Sequence, residues 1–139
     1  MSDREHEAIF GLVAGHASIT RKVKEIPGGV RTRTTTTDPG LVATLRTHVR
    51  QMETRLERGR PMRMWDPVFR DVFAHADEIT VVVKDVEGGV EVPETSENPK
   101  VVPMIRAHAA KVSDFAARGP AAVHPPWAGG GRGRTAPGR

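Results

Sequence analysis

The sequence predicts an α+β domain: a four-stranded antiparallel sheet covered on one face by two long helices, with its halves related by a pseudo-twofold axis. Three observations predict it. Residues 19–59 recur as 79–119 at a constant offset of 60, with 14 identities in 41 ungapped positions, which marks an internal duplication. Runs rich in β-branched residues flank Gly88-Gly89, and Gly28-Gly29 is matched to it in the first copy, so each half carries one hairpin. Apolar residues then recur at helical spacing between Asp38-Pro39 and Gly59, and again between Asn98-Pro99 and Gly119.

The elements follow in order. A short helix from Glu5 to Gly15 should bury Ile9, Phe10, Leu12 and Val13. Its counterpart starts at Asp66-Pro67, an N-cap followed by proline at the first helical position. It runs to about Ala76, burying Val68, Phe69, Val72 and Phe73. The segment ITVVVKDV is a strand that turns at Gly88-Gly89 into VEVPET. Pro93 removes a ladder donor, so the returning strand is expected at a sheet edge. The expected strand order is 2-1-3-4, with 1-2-4-3 as the alternative. Leu41, Leu45, Val49, Met52 and Leu56 form the apolar stripe of the first long helix; Val101, Ile105, Val112 and Phe115 form that of the second. Pro103 falls where an intrahelical donor is wanted, so the second helix should start late or kink. One domain of residues 1–128, built from repeats 5–59 and 65–119, is followed by a Gly/Arg-rich tail, 129–139, expected to be disordered.

Composition narrows the chemistry. With no cysteine there are no disulfides, thiolate nucleophiles or cysteine metal sites. No apolar run reaches the roughly 20 residues of a membrane span, and the acidic start is unlike a secretory signal, so a cytoplasmic location is expected. The net charge is +4, of which Arg132, Arg134 and Arg139 supply +3, leaving residues 1–128 at +1. A nearly neutral body argues against nucleic-acid binding beyond nonspecific contacts by the tail. A homodimer through an apolar strand face around Val82 is a further option.

The histidines are the candidate functional residues. His48 and His108 occupy matching positions in LRTHVRQM and IRAHAAKV, both on the apolar stripes of the long helices. Imidazoles ligate transition metals and haem iron, and Met52, one turn after His48, adds a soft thioether that favours copper or haem. The expected function is therefore metal or haem binding by His48, His108 and Met52. The alternative is a non-catalytic interaction or scaffold domain whose histidines only pack; acid–base catalysis comes third, with no nucleophile motif to support it. His16 and His75, at the ends of the short helices, suit helix capping and are secondary ligand candidates, as is His124 in HPPW. Trp65 could plug the core, wall a pocket or form an oligomer contact, and Arg46 and Arg106 could clamp a propionate or small carboxylate.

The succession LRTHVRQM, RMWDPVF, DEITVVV, EGGVEV and IRAHAAKVSDFAARG resembles an uncharacterised family of small two-repeat bacterial proteins, over roughly residues 9–124. The resemblance implies the duplicated α-β-β-α fold and transfers no reaction.

Overall fold

The structure is a computed structural model that describes residues 2–123; the Gly/Arg-rich tail and His124 lie outside the described residues. In chain order the elements are α1 (Asp3–Ala14), β1 (Ile19–Ile26), β2 (Gly29–Thr36), α2 (Pro39–Glu57), α3 (Pro67–Ala74), β3 (Thr80–Val81), β4 (Lys84–Val86), β5 (Gly89–Thr95), α4 (Val102–Arg118) and α5 (Pro120–Val123). The fold is α+β with a wholly antiparallel sheet of five strands.

The caps fall where the side-chain chemistry puts them. Asp66 Oδ1 accepts from Val68 N (3.0 Å) and Pro67 opens α3; Asp38 Oδ1 accepts from Gly40 N (2.9 Å) ahead of α2. α1 starts two residues earlier than expected, because Ser2 and Glu5 form a reciprocal capping box. Asn98 Oδ1 accepts from Lys100 N (3.0 Å), yet α4 begins only at Val102. The late start leaves Pro103 in the first helical turn, where no intrahelical donor is needed.

Two expectations about the sheet are corrected. The strand order is β1-β2-β5-β3, with β4 also on β5, so the hairpins meet through their second strands, in the alternative order 1-2-4-3 and not in the order 2-1-3-4. The strand carrying Pro93 is therefore interior, not an edge. β3 and β4 keep a single register against β5, Thr80 facing Thr95 and Lys84 facing Glu91. The gap at Val82–Val83 lies opposite Pro93, whose carbonyl accepts from Val82 N (3.1 Å) but which has no N–H to return the bond. One missing donor divides the outer strand in two, giving five strands where four are expected.

The β2–β5 pairing is centred on Thr32 and Val92, two residues 60 apart, and Thr32 Oγ1 donates to Val92 O (3.3 Å). Gly29 and Gly89 lie on either side of that centre. A Cβ on Gly29 would collide with the Glu94 carbonyl oxygen and one on Gly89 with that of Thr34, so each hairpin needs its second glycine where the central strands meet.

One sheet face is closed. Val30, Thr32 and Thr34 of β2 and Val90 and Val92 of β5 are buried beneath α2 and α4, with α1 packed on α2 and α3 on α4. The tightest cluster joins Val30 to Val101, Ile105 and Ala109, with Ile79 against it. Phe69 and Val72 of α3 and Leu12 of α1 are buried as expected, but Phe10 is 76% exposed, which corrects its assignment to the core; Ala8 is buried on α1 as well.

Candidate functional site

His48 on α2 and His108 on α4 both direct Nδ1 into the interior, and neither atom has a hydrogen-bond partner among the described residues. Burial pushes each imidazole down to about 4, so both rings are neutral at pH 7. For His48 the Glu5 carboxylate opposes that shift; for His108 the Arg21 guanidinium adds to it and Asp66 opposes it. The His108 ring meets Phe69 edge-on at 5.2 Å between centroids, and its Nδ1 stands 3.9 Å from Glu94 Oε1, beyond hydrogen-bond reach.

Two of the carboxylates around these rings, Glu5 and Asp66, are already committed. Both oxygens of Glu5 are taken by Arg55 in a buried bidentate pair, which with the Ser2 bonds holds the Glu5 carboxyl near 2. Asp66 accepts from Val68 N, Arg63 Nε (3.3 Å) and Lys111 Nζ (3.4 Å). Burial pushes the Glu94 carboxyl up while Arg21 pulls it down. Arg21 reaches under α4 to Ser113 Oγ (3.0 Å), Thr34 Oγ1 (3.1 Å) and Ala109 O (3.4 Å). Its positive charge beside His108 disfavours a cation at that ring. Among the described residues no group of three or more His, Asp or Glu side chains could hold a metal. Two cavities, of about 230 and 260 Å³, are lined by no histidine and fall below the roughly 300 Å³ of ordinary ligand sites. A haem does not fit either.

The other candidates are dispersed. Met52 is half-buried on α2. The His16 ring lies against Gly119, with Nδ1 3.1 Å from Ala116 O at the end of α4, and His75 Nδ1 lies 3.0 Å from Glu78 Oε2. Arg46 donates to Gly89 O (3.2 Å) and Val86 O (2.8 Å), Arg106 to Gly29 O (3.3 Å) and Ile26 O (3.1 Å), so both guanidiniums hold the hairpin of the opposite half. Trp65 is 40% exposed, with the Arg63 guanidinium 5.1 Å from its ring centre.

Sequence reasoning misses Arg63 altogether. It has positive φ, bonds the Asp66 carboxylate and the carbonyls of Ala122 and Val123, and lies over Phe69 (5.6 Å) and Phe115 (4.7 Å) as well as Trp65.

The second sheet face supplies a different kind of site. Lys22, Lys24, Arg31 and Arg33 alternate with the helix-facing residues of β1 and β2, and all four are exposed. Lys22 faces Arg33, Arg33 faces Glu91 and Glu91 faces Lys84, while Lys24 faces Arg31. Arg33 contacts Glu91 at 3.5 Å; among the described residues the other four cations form no ion pair. Lys22, Lys24, Arg31, Arg33 and Glu91 line the shallow 230 Å³ furrow, and Lys84 lies outside it. Asp85 and Glu25 point the other way, to Arg50 and Arg46 on α2 and to Arg106 on α4. Compared with family models, curated proteins and solved structures, the chain matches none.

Proposed function

We propose that the chain is a non-catalytic binding domain whose bare, cationic sheet face meets an anionic partner, with the histidine-bearing interior serving to pack the helices. The observation that carries this reading is charge segregation. Five cations and one carboxylate put the open face at +4, although residues 1–128 sum to +1. The helical side is therefore net acidic, and the near-neutral total conceals a polarised surface. The committed carboxylates around His48 and His108 support the packing role. Tandem duplication is part of the same proposal: the offset of 60 places Thr32 against its own counterpart at the centre of the sheet.

A second reading, in which His48, His108 and Met52 bind copper, rests on the two partnerless Nδ1 atoms, since a buried unpaired nitrogen costs about 1–3 kcal/mol unless something completes it. Metal content and the visible spectrum of the full chain after exposure to copper and haem separate the two. The packing role predicts no bound species that His48→Ala and His108→Ala both abolish. A bound metal lost in both variants, with the circular dichroism of the fold intact, overturns it.

A further inference from the structure

We infer that the partner of the open sheet face is the phosphate backbone of nucleic acid, bound without regard to sequence. This rests on the reading of that face as the interaction surface and adds the chemistry of the occupant. The cations form a lattice. Lys22 and Arg33 pair across one rung and Lys24 and Arg31 across the next but one, so the four groups stand about 5 Å apart between strands and about 7 Å apart along them. Lys84 extends the first rung beyond Glu91. Such an array suits a dense row of fixed negative charges, and duplex nucleic acid carries one per about 1.7 Å of axis.

The side chains also say what is not read. The chain has no tyrosine, and its described aromatic residues lie on α1, α3, α4 and the linker, with none on a strand. A strand-borne stacking platform for unpaired bases is therefore missing, and recognition falls on phosphates. The furrow is open and shallow, flanked by flexible lysine and arginine side chains, which fits a backbone laid across it better than an enclosed small anion. A second copy of the chain is disfavoured, because it would bring two +4 faces together.

The test uses the full chain and fluorescence anisotropy with short DNA duplexes of two unrelated sequences. Three to four phosphate contacts predict a log–log salt slope of about −3, a loss of about 60-fold in affinity between 50 and 200 mM salt, equal for both sequences. The triple variant Lys22→Gln/Lys24→Gln/Arg31→Gln should lose nearly all of that slope while keeping the wild-type melting temperature. Replacing Arg132, Arg134 and Arg139 by glutamine removes the same charge from the tail and should leave most of the binding. Arg58→Gln/Lys100→Gln, away from the sheet face, should change little. The inference is overturned if the tail variant abolishes binding and the face variant does not, or if the wild type fails to bind duplex. Binding of anionic phospholipid vesicles through the same three residues, with no binding of duplex, also overturns it while leaving the interaction-face reading standing. If neither polymer binds and the triple variant behaves as wild type throughout, both fall.

Discussion

Replacing His48 by leucine isolates the energetics of one buried imidazole. Its folded pKa is about 4 against 6.5 in the unfolded chain, so between these values the unfolded state holds a proton that the native state refuses. Stability is therefore present above pH 6.5 and is lost as pH falls towards 4. At 1.36 kcal/mol per unit, a shift of this size corresponds to about 3 kcal/mol; the half-buried side chain makes about 2–3 kcal/mol the better figure. Near pH 5 the single group gives a slope of about 1.2 kcal/mol per pH unit, and His108 adds its own, partly offset by the raised carboxyl of Glu94, which titrates in the opposite sense. Urea unfolding at half-unit steps from pH 7.5 to 4.5 measures the slope. His48→Leu should reduce it by about 1.2 kcal/mol per unit. At pH 7.5 the same variant should be as stable as wild type or more so by about 1 kcal/mol, because the unpaired Nδ1 is gone. An unchanged slope would show that the ring is solvated or already paired. A large loss of stability at pH 7.5 would show that Nδ1 has a partner.

Four further outcomes follow from the packing. Glu5→Gln breaks the buried pair with Arg55 and should cost about 2–3 kcal/mol at pH 7, the deficit shrinking as pH falls from about 4.5 towards 2, where the wild-type carboxylate itself protonates; chemical denaturation at several pH values reads this. Arg63→Met removes the anchors to the α5 carbonyls and Asp66 and should lower the melting temperature by about 5–10 °C, as for a loss of about 2–3 kcal/mol. Gly89→Ala should destabilise more than Gly59→Ala, since only the former drives a Cβ into the backbone of a neighbouring strand; paired thermal melts decide it. Pro93→Val restores the donor opposite Val82 and should join β3 to β4, seen as hydrogen-exchange protection of the new amide at position 93.

Features written in local chemistry were legible in the sequence. Asp66-Pro67, Asp38-Pro39, the paired hairpin glycines and Gly59 and Gly119 each act through their own backbone, and each lies where the residue type requires. The strand order was not legible, because alternation within a hairpin is the same whichever of its strands faces inward. Phe10 and Phe69 were both expected to be buried, but only Phe69 has Phe115 and His108 to pack against. Arg55, Arg63 and Arg21 carry no local signal for the bonds that bury them, since the partners Glu5, Ala122 and Ser113 lie 50 to 92 residues away in the chain. The basic outward set Lys22, Lys24, Arg31 and Arg33 was legible from strand parity, but the near-neutral sum and the missing aromatics made it look minor. It stands out only when strand parity sends Glu25, Asp85 and Glu94 to the opposite side of the sheet.

The reciprocal grip of Arg46 and Arg106 has a consequence for how the molecule can come apart. Each guanidinium leaves its own hairpin alone and holds the turn of the other half, so neither half carries the fastening for its own strands. Cutting the chain between Gly59 and Trp65 would release two pieces that each lack their lock and hold the key to the other. Mixed together they should reassemble as a split protein, and kept apart each should stay largely unfolded.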